Sequence, residues 1–115
     1  MRKFLFILLL FVFSPVRAEY LTGYDLLEQC STFIDNDYSG DNLCPAFISG
    51  IVGVHDTFMS WGQHKQEWCK PADVEVNDLV RLVTYEMRLI SPQTLIYGAE
   101  NLVAFALVKL FPCNQ

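Results

Sequence analysis

The stretch "VNDLVRLVTYEMRLISP", Val76 to Pro92, decides the fold class. Val76, Leu79, Val80, Val83, Met87 and Ile90 recur at steps of three and four, which puts them on one face of an α-helix; a strand would need period-two alternation, and none is present. Ser91 as a cap and Pro92 in a first turn predict that the next helix begins at once and runs to about Phe111. From Leu102 to Phe111 only Lys109 is charged, so this last helix is expected to be the buried centre of the domain. Leu82, Tyr85 and Leu89 lie away from the core stripe at i, i+3 and i+7. That second apolar face is expected to meet the last helix, another copy of the chain or a different protein.

Two more helices are expected upstream. "TGYD", Thr22 to Asp25, has the form of a capping box, and Tyr24, Leu26, Leu27, Cys30, Phe33 and Ile34 follow at helical spacing until the acidic segment "DNDYSGD", which contains Asp35, Asp37 and Asp41. The next helix opens near Asn42 with Pro45 in its first turn and carries Phe47, Ile51, Val54 and Phe58 on one face. Ala46, Gly50, Gly53 and Thr57 form a strip of small residues, expected to let a neighbouring backbone come close. The fold class is therefore all-α, a compact bundle of about four helices.

The first residues read as an export signal: Arg2 and Lys3, ten apolar residues from Phe4 to Phe13, then "SPVRAE" with Val16 and Ala18 at the −3 and −1 places of a cleavage site. Ten apolar residues are too few for a membrane span, which needs roughly 18. Cleavage after Ala18 would leave 97 of the 115 residues as one domain, with five basic residues against thirteen acidic ones and a net charge of −8. So sparse a basic complement excludes nucleic acid as a partner and disfavours anionic membranes; basic proteins or substrates are the complementary class.

Four cysteines in a small exported domain imply two disulfides. Three pairings are open, and short connections decide among them, because they make successive helices antiparallel neighbours. Cys30 in the first helix then meets Cys44 at the start of the second, and Cys69 before the third meets Cys113 after the fourth.

The densest chemistry lies in "GVHDTFMSWGQHKQEWC", Gly53 to Cys69, which holds both histidines and both tryptophans. His55 and His64 are nine apart and match no metal-ligand spacing, so neither a metal nor a cofactor is expected. His55 and Asp56 are adjacent on a helix, point about 100° apart and should not orient one another; no nucleophile motif accompanies them, and no enzymatic activity is expected. What remains is a polar connection with large aromatics, anchored by a disulfide: Trp61, Gln63, His64, Lys65 and Glu67 are candidate protein-binding residues, with Trp61 exposed and Trp68 turned inward. The acidic Asp35, Asp37 and Asp41, and the Leu82, Tyr85 and Leu89 face, are the other candidate contact surfaces.

The order of these features resembles a known family. Gly23, Cys30, "CPAFISGIVGVHD", "CKPADVEVNDLVRLVTYEMRLISP" and the closing "AENLVAFALVKLFPC" are similar to the Rap/Tai family of type VI secretion immunity proteins over nearly the whole chain after residue 18, while the loop "GQHKQE" is particular to this sequence. The resemblance implies a small periplasmic helical protein, commonly homodimeric, that binds and blocks a cognate secreted peptidoglycan amidase effector. The alternative from a different class is a periplasmic acid-stress chaperone of the HdeA type, whose action requires loosening in acid; two disulfides oppose that loosening. A structural or adaptor domain of the envelope is the third reading.

Overall fold

The computed structural model describes residues 20–114. The proposed signal segment and its cleavage site, residues 1–18, lie outside the described residues. Four helices follow in order: α1 (Gly23–Asp35), α2 (Leu43–Ser60), α3 (Val76–Arg88) and α4 (Ala99–Leu110). Each touches the other three. Among the described residues there is no strand, only an isolated antiparallel bridge between Thr22 and Gly98.

The capping box forms as the sequence predicts: Asp25 N–H donates to Thr22 Oγ1 at 3.2 Å and Thr22 N–H to Asp25 Oδ2 at 3.1 Å. These bonds satisfy donors that a helix start leaves open. Leu26, Cys30 and Phe33 of α1, Cys44, Ile48 and Val52 of α2, Leu79, Val80, Val83 and Met87 of α3, and Leu102, Val103, Ala106 and Leu107 of α4 make one core. Of the six residues expected on the core face of α3, Val76 is exposed, Ile90 is half-buried and the other four are buried. Thr84 is buried as well, its hydroxyl donating to Val80 O within the helix.

Three expectations are corrected. The fourth helix begins at Ala99, not at Pro92, because residues 91–98 form turns whose carbonyls serve α1: Gly23 N–H donates to Tyr97 O at 3.0 Å and Tyr24 N–H to Leu95 O at 3.1 Å. Those acceptors would be unavailable inside a helix, and the exchange places Leu95 in the core. Second, α4 is not buried all round. Phe105 is 63% exposed and Val108 also reaches the surface. Third, the small-residue strip of α2 faces solvent; a Cβ at Gly50 or Gly53 would meet nothing within 4 Å. The core instead takes the Cys44, Ile48, Val52 and His55 face, so Val54 and Phe58 stand exposed.

The close approach occurs at Gly23. A Cβ there would collide with Leu102 Cδ1 and lie 2.9 Å from the Leu95 carbonyl oxygen, a backbone atom that cannot move aside without breaking its bond to Tyr24. Gly23→Ala should therefore destabilise the protein by about 1–3 kcal/mol despite alanine's better helix propensity. Urea unfolding of the variant beside the parent measures it.

The disulfides are Cys30–Cys44 and Cys69–Cys113, each with Cα atoms 5.0 Å apart. At the first, Asn42 sets the corner: its Oδ1 accepts from Cys44 N–H at 2.8 Å and its Nδ2 donates to Gln29 O at 2.9 Å. At the second, Cys69 N–H donates to Phe111 O at 2.8 Å.

The turn after α1 ends the helix with a left-handed residue that is not glycine. Tyr38 N–H donates to Phe33 O and Asp37 N–H to Ile34 O, the Schellman arrangement, with Asp37 at φ 58° and Tyr38 at φ 57°. The Tyr38 ring meets Phe33 edge-on at 5.9 Å, a contact that offsets the cost of its backbone. Asp37→Gly should accordingly raise stability, by up to about 1 kcal/mol, since glycine takes a positive φ without steric penalty. Thermal melting of this single variant tests the point.

Candidate functional site

The end of α2 and the connection after it build the site. At Trp61 the helix stops in a second Schellman motif: Gly62 N–H donates to Met59 O at 2.9 Å, Gln63 N–H donates to Phe58 O at 3.0 Å, and Gly62 takes φ 71°. Glycine is favoured at this position because it takes a positive φ without steric penalty. The turn throws the Trp61 indole outward, 65% exposed, edge-on to Phe58 at 5.6 Å. The chain then returns along α2 to Trp68, which is 5% exposed and lies flat on the His55 ring, with centroids 3.9 Å apart and planes 19° from parallel. Trp68 thus packs inward and Trp61 outward, as the sequence predicts.

His55 pins this connection. Its Nε2 accepts the Glu67 backbone N–H at 3.0 Å, which leaves Nδ1 to carry the proton and donate to Asp56 Oδ1 at 3.1 Å. The expectation that His55 and Asp56 do not meet is corrected: Asp56 reaches Nδ1 from the solvent side, with its own side chain mostly exposed. The pair is not poised as a base with its support, because Nε2, the nitrogen that would take a proton, is already occupied by the Glu67 backbone N–H. The His64 ring stands edge-on to His55 at 5.6 Å, and His64 Nε2 lies 3.9 Å from Glu67 Oε1. Trp68 Nε1 is buried and donates to no protein acceptor.

Between α2, this connection and α4 lies an open groove of about 600 Å³. Ile51, Val54, Phe58 and Ala104 supply apolar walls, His55 and Trp68 an aromatic side, and Gln63, His64, Glu67 and Glu100 the polar rim. Of the five candidate residues on the connection, Gln63, His64 and Glu67 line the groove, while Trp61 and Lys65 are exposed beside it. Asp35, Asp37 and Asp41 are exposed on the end of α1 and the turn before α2, at the other end of an 18-residue helix, about 27 Å long, from Trp61. Tyr85 and Leu89 are exposed and Leu82 half-buried on α3. Neither set joins the groove. Glu100 and Ala104 were absent from the sequence candidates, since their approach to Val54 and Phe58 depends on how α4 crosses α2. A signal was nevertheless present: α2 carries more apolar stripes than one core contact can cover.

By length and composition α2 would pass for a membrane span. Its Cys44, Ile48, Val52 and His55 face nevertheless packs into the bundle. Among the described residues, no three His, Cys, Asp or Glu side chains are grouped as metal ligands.

The described residues thus form a small, disulfide-tied, all-helical domain of four helices with a tryptophan-bearing turn beside an apolar groove. A family model of Rap1a immunity proteins matches residues 22–113, 92 of the 115 positions, and the chain belongs to that family. Neither the curated proteins nor the solved structures give a match.

Proposed function

We propose that this chain is a periplasmic immunity protein that binds and neutralises a peptidoglycan amidase effector of a type VI secretion system. The observation that carries the reading is the family match across both disulfides and all four helices. Physical features support it. A producer of a secreted cell-wall hydrolase needs a tight, standing binder in the compartment the enzyme attacks, and a cross-linked scaffold loses little conformational freedom on binding. An excess of eight negative charges after residue 18 raises the encounter rate with a basic effector.

In this reading the chain catalyses nothing, requires no cofactor and acts by occupying the effector. Trp61, Gln63, His64, Lys65 and Glu67 form part of the contact, because the Schellman turn, the His55 bond to Glu67 and the Cys69 disulfide set their shape before the partner arrives. Asp35, Asp37 and Asp41 offer a second, acidic contact for a basic cleft. Leu82, Tyr85 and Leu89 offer the outer surface of α3 to a second copy in a homodimer.

The test is protection. Export to the periplasm of a candidate type VI amidase effector from the same genome should lyse the host, and co-expression of the full-length chain should restore growth. The same chain without residues 1–18, retained in the cytoplasm, should not protect. Lysis in the presence of soluble, disulfide-bonded protein in the periplasm would overturn the proposal.

A further inference from the structure

The groove has a chemical bias that selects among occupants. Its walls expose Val54 at 57% and Phe58 at 40%, which is apolar surface that a bundle helix ordinarily covers. Its rim carries two carboxylates, Glu67 and Glu100, and no Lys or Arg lines it. Among the described residues Glu100 has no ion-pair partner, and the only one for Glu67 is His64 at 3.9 Å. A second copy of the chain seated here about a two-fold axis would bring its own Glu67 and Glu100 against these carboxylates. An anionic lipid surface would meet the same charge. A cation beside an apolar group satisfies both features of the groove.

We infer that this groove seats a Lys or Arg of the partner protein together with a neighbouring apolar side chain. The apolar residue lies on Val54, Phe58 and Ala104, and the cation reaches Glu67 and Glu100. The inference rests on the immunity reading, to which it adds the chemistry that the effector must present. A long cationic side chain suits the site because its methylene stem covers apolar wall while its head stays at the charged rim. The contact then combines a desolvated anchor with steering charge, and Trp61 lies beside it on the same turn.

The test uses protein purified from the periplasm after expression with its own residues 1–18, titrated with N-acetyl-Phe-Arg-amide and, as the charge-reversed control, N-acetyl-Phe-Glu-amide. The arginyl peptide should give saturable backbone amide shifts confined to Val54, Phe58, Glu67, Glu100 and Ala104, and the glutamyl peptide should give none there. The double variant Glu67→Gln/Glu100→Gln, whose folding is checked by its melting curve, should bind the arginyl peptide roughly fivefold more weakly. Equal shifts from both peptides, shifts centred on Asp35 to Asp41, or no saturable shift would overturn the inference. Ala104→Trp, which fills the groove, separates the two proposals: if it still protects cells from the amidase as the parent does, the groove is not the seat and immunity stands. If the parent chain gives no protection, the immunity reading itself has failed.

Discussion

Trp68→Ala should lower the unfolding free energy by about 3–5 kcal/mol, while Trp61→Ala should change it by less than about 1 kcal/mol. The two indoles are seven residues apart and differ in burial, at 5% for Trp68 and 65% for Trp61. Trp68 covers the core and stacks on His55, so its removal opens a cavity and also loosens the histidine that holds Glu67. Trp68→Phe should recover about half of the loss or more, because it keeps an aromatic ring on His55 and removes an indole N–H that has no acceptor. Partner affinity should show the reverse order. Trp61→Ala should weaken the effector complex by roughly 2 kcal/mol, about 30-fold, with melting almost unchanged. Calorimetric titration beside thermal unfolding reads both quantities. A Trp61→Ala protein that melts far lower yet binds unchanged would move the contact to the acidic turn or to the Tyr85 and Leu89 face.

Loss of the Cys69–Cys113 bridge should be comparably severe. The residues are 44 apart, and in the chain-entropy account a loop of that size contributes about 4 kcal/mol, against about 3 kcal/mol for the 14-residue separation of Cys30 and Cys44. The larger bridge also joins the connection after α2 to the chain end after α4, and so anchors one end of the proposed contact. A Cys69→Ser/Cys113→Ser variant should lose about 4 kcal/mol in denaturant unfolding and should also bind more weakly than Cys30→Ser/Cys44→Ser of equal folded fraction. If the two variants bind alike once both are fully folded, the bridge contributes stability alone.

Much of this architecture is local and therefore readable. Thr22 and Asp25 cap α1 through bonds three residues apart, Asn42 caps α2, and the heptad-like recurrence of Leu79, Val80, Val83 and Met87 fixes the inward face of α3. The disulfide pairing followed from short connections, which leave few alternatives in space. Burial also separated the two tryptophans as expected, because the residue beside an anchored cysteine is drawn toward the core.

What the sequence could not determine were choices that depend on partners distant along the chain. Pro92 to Tyr97 has no local bar to helix, yet the Leu95 and Tyr97 carbonyls are taken by Tyr24 and Gly23, some seventy residues earlier, and the helix is displaced to Ala99. In α2 the apolar residues occupy more than one face, so periodicity alone could not say that Ile48 and His55 turn inward while Val54 and Phe58 stay out. The same tertiary choice set Glu100 and Ala104 of α4 on one groove with Val54 and Phe58. Composition and spacing thus determined an acidic, all-α chain with its caps and bridges, since these arise from interactions within a few residues or from covalent bonds. Only the crossing of α2 with α4 decided which apolar face is core and which is left exposed, because burial is a property of the whole fold and not of any one helix.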